Sequence, residues 1–265
     1  MSGAAKYLYV GRTAVRSNLA YIGEVAARTL FLGAILYIFL QLWRVTYAEI
    51  GAVRVSDLTL AQMLWYLAMT EAIVLSAPQV APRIDQDVRT GAVAVHLLRP
   101  MSYPLYLLCT ALGERLVRFV MNALVGAGLA LVLVGPIPLD VGGLALSLAA
   151  IPLAFVLDFV AHLAIGLCAF WLENTSGLTL LYTRATMLLG GMLLPIDLFP
   201  GGLRSVAVYL PFSSVVYGPA RLLVRPDGAA LAGLLVRQAA GIAAVGLIAV
   251  AIHAAAVRRI HAHGG

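Results

Sequence analysis

From Leu144 to Leu172 the chain reads LALSLAAIPLAFVLDFVAHLAIGLCAFWL, with Asp158 as its one formally charged residue. A run of eighteen or more apolar residues, at about 1.5 Å per helical residue, is long enough to cross the roughly 30 Å hydrocarbon of a bilayer. A water-soluble fold cannot bury such runs repeatedly, because a globule needs a polar skin. The run does recur. Six stretches read as membrane spans: Ala26 to Tyr47, Leu58 to Val80, Phe119 to Gly135 with a polar run-in from Tyr103, Leu144 to Leu172, Gly177 to Pro195, and Ala239 to Val257. Of 265 residues, 62% are hydrophobic and 11% charged, against about 25% charged in soluble domains. The expectation is an all-α integral membrane protein with six transmembrane helices, forming a single transmembrane domain over 1–265.

The net charge of +6 reads as topology, not as a nucleic-acid surface, because the cations cluster between the apolar runs. With the N-terminus in the cytoplasm, the inner side holds Lys6, Arg12, Arg16, Arg28, Arg83, Arg89, Arg99, Arg115, Arg118, Arg184, Arg258 and Arg259. The outer side holds Arg44, Arg54, Arg204, Arg221, Arg225 and Arg237. Twelve against six places both termini inside. No cleavable signal peptide is expected. Cys109 and Cys168 make neither a disulfide framework nor a metal-ligand spacing, and no metal site is expected.

Three segments stand apart from the spans. Residues 6–20 place Tyr7, Leu8, Val10, Ala14, Val15 and Leu19 on one arc, with Lys6, Arg12, Thr13, Arg16 and Ser17 on the other. That pattern predicts an amphipathic helix in the inner interface, facing membrane lipid. Residues 81–104 concentrate charge and proline in a chain poor in both. Residues 193–228 are too apolar for an exposed loop and too broken by Pro195, Pro200, Gly201, Gly202, Pro211 and Pro219 for one spanning helix. They predict a re-entrant hairpin of broken helices entering from the outer face, with Asp197 as its acidic residue.

Ionisable residues inside spans are costly and face protein or water. Asp158 and His162 are four apart and share one helix face. They read as a polar pair between helices or as a spot on a transport pathway. Glu71 needs a partner from another helix, and Arg184 suits it by depth. Glu114, Arg115 and Arg118 form a charged collar where the third span enters.

The order of elements resembles the ABC-2-type permeases, the membrane subunits of ABC exporters with the ABCG-like fold. The stretches DQDVRTGAVAVHLLRPMSYPLYLLCTALGERLVR, FWLENTSGL, LLGGMLLPIDLFPGGL and LPFSSVVYGPARLL carry the resemblance. It implies a dimeric pathway formed with a second permease copy or a related permease. It also implies a separate ATP-binding cassette ATPase docked on a cytoplasmic coupling helix. That helix falls on residues 85–99, where Asp85, Asp87, Arg89, Thr90, Gly91, His96, Leu97 and Arg99 would meet the ATPase, and Pro100 ends it. The face made by Val88, Ala92, Val95 and His96 would fill the ATPase groove. The chain has no GxxxxGK[ST] motif. Its expected cofactor set is therefore empty, with ATP and magnesium at the partner ATPase. The implied role is non-catalytic export of a hydrophobic or amphiphilic compound (drug, lipid or glycan-lipid) across a bacterial inner membrane. The alternatives are an intramembrane enzyme using Asp158 and His162, and a membrane assembly subunit.

Overall fold

The computed structural model describes residues 3–20, 22–98, 100–137 and 141–263. Among them every regular element is helical. Arg99 lies outside the described residues, as do the side chains of Arg28, Leu97, Arg258 and Arg259.

Among the described residues, five segments are long and apolar enough to cross a membrane. They belong to α2 (Ile22–Ile50), α3 (Leu60–Leu75) with α4 (Val80–Arg89), α6 (Tyr103–Val134), α7 (Val141–Leu167) and α12 (Gly228–His263). Their termini follow local chemistry. Thr59 and Gln62 form a reciprocal capping box at the start of α3. Pro78 cannot donate a backbone hydrogen bond, and the chain breaks between α3 and α4 there. Ser102 precedes α6 in an extended conformation without a side-chain cap bond, and Pro104 lies in the first turn. The Asp227 carboxylate accepts from the amides of Ala229 and Ala230, so α12 starts well before the expected Ala239. Between α4 and α6 lies the short helix α5 (Ala92–Leu97).

The Gly177 to Pro195 stretch behaves differently. Its helix α8 (Ser176–Leu189) ends at Gly190 and Gly191. Gly191 has φ +76°, where a side chain would be strained. Fourteen residues give a helix about 21 Å long, short of the bilayer core. The chain then breaks into α9 (Gly201–Ala207), α10 (Pro211–Val215) and α11 (Tyr217–Val224) before entering α12.

This broken segment runs beside the long helices, not above them. The Tyr66 hydroxyl donates to the Gly191 carbonyl, and Thr70 Oγ1 lies 3.5 Å from the Met192 carbonyl. These residues stand six and ten positions into α3, about 9 and 15 Å along it. Ser147 of α7 donates to Pro219 O at 2.8 Å, and Gln238 of α12 to Ser214 O at 2.9 Å and Ala150 O at 3.1 Å. Side chains from three helices thus bond to backbone carbonyls along the broken segment, among them Gly191 and Met192 at the turn after α8. Asp197 closes the segment. It accepts from Tyr217 Oη at 2.7 Å and Arg204 at 3.0 Å, with Arg221 3.7 Å away. We expect Gln238→Leu to raise amide exchange in α10 and α11 at least tenfold while α6 exchanges as before. That corresponds to about 1.4 kcal/mol, within the range for orphaning a buried polar group. Hydrogen exchange on the assembled protein measures it.

The helix α1 (Gly3–Ala20) lies along the first half of α6. Tyr7 Oη accepts from Ser102 N, the Gly11 backbone meets Gly113, and Asn18 Oδ1 accepts from Arg118. The contacts advance in the same direction on both helices, so they run parallel. Ala14 is buried, while Leu8 and Leu19 of the expected apolar arc are exposed. The side of α1 turned to protein is therefore Tyr7, Val10, Gly11, Ala14 and Asn18.

Candidate functional site

Three features qualify as functional surfaces: an elbow made by α4 and α5, a buried ionic cluster, and an apolar groove.

The elbow departs from the single helix expected over residues 85–99. Thr90 caps α4, Gly91 takes φ +72°, and α5 restarts at Ala92. A β-carbon is disfavoured at that angle, so the Thr-Gly pair places the break. Gly166 gives α4 its seat on α7, since an added β-carbon there would lie 2.8 Å from Ile84 Cδ1. Asp85 is buried and pairs with Arg89 at 3.1 and 3.2 Å. Arg89 also donates to the Glu173 carbonyl. Tyr103 Oη donates to Asp87 at 2.7 Å. His96 stacks against Tyr103 and Tyr106, with centroids 5.3 and 5.6 Å apart. Lys6 reaches the Pro100 carbonyl. Most of the charged candidates therefore bind the elbow to its own chain. Gln86, Ala94, Val95 and Leu98 are exposed and take no part in these ties.

The ionic cluster joins α6, α7 and α8. Arg115 Nη1 donates to Asp158 Oδ2 at 2.6 Å, and both side chains are almost wholly buried. Tyr182 Oη donates to Asp158 Oδ1 at 2.8 Å. His162 Nδ1 lies 2.9 Å from the Asp158 backbone oxygen and 3.5 Å from Oδ1. A carbonyl can only accept, so the imidazole carries a proton at Nδ1. Arg115 also donates to Ile73 O and stacks 4.0 Å from the Phe155 ring centroid. A cavity of about 60 Å³ adjoins the cluster. Both Asp158 oxygens are occupied, which suits a tie between helices better than a base or nucleophile.

Arg115 is therefore not part of the expected collar. Glu114 and Arg118 remain there, with Arg83 3.5 Å and Arg118 3.7 Å from Glu114. A step of one residue turns a helix by about 100°, which carries Arg115 inward between its neighbours. Glu71 is buried, and its Oε2 has no hydrogen-bond partner among the described residues. The suggested Glu71–Arg184 pair does not form. Arg184 is exposed, with Nη1 3.6 Å from Met187 Sδ.

The groove, about 410 Å³, runs between α3, α6, α7 and α11. Trp65, Met69, Phe119, Leu124, Leu148 and Leu223 are among its lining residues, all of them apolar.

The model of the family described as "ABC-2 family transporter protein" matches residues 31–264. The chain belongs to that family. It is a multi-pass membrane transport component, and the family as a whole works with an ABC ATPase. A comparison with curated proteins gave no match. In this ABC-2 chain, α1 falls entirely outside the matched region, while the elbow, ionic cluster and groove all fall within it.

Proposed function

We propose that this chain is the permease subunit of an ATP-driven exporter. Two copies, or one copy and a related permease, enclose the pathway. A separate ATPase docks on the elbow from the cytoplasm, where both termini also lie. The N-terminal helix packs along the cytoplasmic half of α6 with Leu8 and Leu19 turned to lipid, and residues 193–228 re-enter from the outer face. With α8 continued by the descending backbone, the chain crosses six times. The cargo is hydrophobic or amphiphilic, in keeping with the apolar groove.

The observation that carries this reading is the elbow. It is polar enough for water, braced against α6, α7 and the 173–175 connection, and presents Val95 and Leu98 outward, 57% and 87% exposed. Exposed apolar residues on a braced polar element mark a contact surface. Arg89 is a poor test of it, because Arg89→Glu would also break the tie to Asp85 and Glu173. Val95→Glu and Leu98→Glu disturb no internal bond. Each should insert and fold normally, weaken ATPase co-purification at least tenfold, and lower substrate-stimulated hydrolysis in step. Full ATPase recovery with both variants would exclude the elbow as the docking element.

A further inference from the structure

We propose that Arg184 is the binding point for an anionic group on the cargo, which makes the cargo an anionic amphiphile. This rests on the permease reading for the word cargo, while the site itself stands on four observations.

The first is depth. Arg184 lies eight residues beyond Ser176, about 12 Å along α8. The outer end of α8 turns at Gly190 beside Tyr66 and Thr70, itself about 9–15 Å down α3. In the proposed topology Arg184 therefore stands about two helical turns in from the cytoplasmic end of α8 and short of its outer end. The second is direction. Helical side chains usually lean toward the helix N-terminus, here the cytoplasmic end in the proposed topology. The Arg184 Nη1 lies 3.6 Å from Met187 Sδ on the following turn, so the guanidinium rests against the surface of α8.

The third is the lack of a counter-charge. Helix α8 packs against α4, α7 and α10. Asp158 on α7 is held by Arg115 and Tyr182, Asp85 on α4 is held by Arg89, and α10 (PFSSV) has no acidic residue. Arg115 has its carboxylate; Arg184 has none among the described residues. The fourth is the surface around it. Leu180, Leu181 and Leu188 on α8 are also exposed, at 56%, 68% and 60%. A guanidinium set among leucines matches an amphiphile, with the charged group on Arg184 and the apolar part along the leucines.

A cation facing lipid at that depth is strongly disfavoured. A second copy packed on this face about a two-fold axis would bring it against itself. Arginine would then oppose arginine, which an anion between them resolves. A planar guanidinium engages phosphate, sulfate or carboxylate through paired hydrogen bonds.

The test uses the full chain in phosphatidylcholine nanodiscs, titrated with three probes of equal chain length: dodecyl phosphate, dodecyl glucoside and dodecyltrimethylammonium. Wild type should bind dodecyl phosphate at least tenfold more tightly than either other probe. Arg184→Gln should abolish that preference without weakening dodecyl glucoside, and Arg184→Lys should retain most of it. Arg118→Gln, at the inner collar, should keep it. Absence of the preference in wild type overturns the site, whatever the variants do. So does its persistence in Arg184→Gln. If Arg184→Gln separates the copies and leaves the preference intact, the occupant is the second copy and the proposal fails. If phosphatidylglycerol in the disc displaces dodecyl phosphate one for one, the occupant is a membrane lipid and the cargo assignment fails. ATPase co-purification is scored separately. Its absence alongside an Arg184-dependent preference would overturn the permease reading and leave the anion site standing.

Discussion

Arg115→Leu should leave little folded protein, and Arg115→Leu combined with Asp158→Leu should recover much of it. The single change strands the Asp158 carboxylate, buried and flanked by Tyr182 and His162. It also removes the bond to Ile73 O and the contact with the Phe155 ring. Breaking one side of a buried ion pair costs about 3–5 kcal/mol, while replacing both partners with apolar side chains is often nearly neutral. A typical domain has only about 5–15 kcal/mol in total. Thermal melting followed by fluorescence-detected size exclusion would rank the variants. A single Arg115→Leu protein melting with wild type would show that the pair contributes nothing to the join between α6 and α7.

Gly113→Leu should detach α1 from α6. A β-carbon at residue 113 would lie 2.5 Å from the Gly11 carbonyl oxygen and 3.0 Å from Ala14 Cβ. The first is a backbone atom of the partner helix, so the strain cannot be relieved by a side-chain rotation. Overpacking typically costs about 1–3 kcal/mol, and here separation of the two helices relieves it. Cys109 reports the outcome, because its carbonyl lies 3.4 Å from a β-carbon placed on Gly11. In a Cys168→Ala background, Cys109 should react with a membrane-permeant maleimide at least tenfold faster after Gly113→Leu. Gly128→Leu, on the same helix with nothing within 4 Å, should leave the rate unchanged. Equal rates in all three proteins would mean that close packing at Gly113 does not hold α1.

The spans were legible in the sequence because apolar length is a local property. The runs within α2, α3, α6, α7 and α12 declare themselves residue by residue. The partners of charged residues were not legible, because pairing is not local. Asp158 and His162 stand four apart, and their proximity follows from helix geometry. Arg115 stands 43 positions from Asp158, and its neighbours Glu114 and Arg118 made a plausible group in one dimension. Helix phase could have separated them, since 114 and 118 share a face that 115 does not. The elbow shows the same division. Thr90 and Gly91 signal a stop, yet a helix through them kept Val88, Ala92, Val95 and His96 on one face. The positive φ of Gly91 decides against that stripe. At the outer segment, prolines and glycines revealed that the backbone was broken. They could not reveal that Tyr66, Thr70, Ser147 and Gln238 satisfy it, because those side chains come from elsewhere in the chain.

The bracing of α4 has a mechanical consequence. The helix is continuous in sequence with α3 through the Pro78 turn, seated on α7 at Gly166, linked to α6 through Asp87 and Tyr103, and bonded by Arg89 just ahead of α8. A push on this knuckle is shared among four rods at once. Such a linkage favours a concerted stroke over a relay in which one helix moves and the next follows. The Gly91 break sets the direction of α5, whose His96 rests on Tyr103 and Tyr106, so α5 is carried by the same linkage.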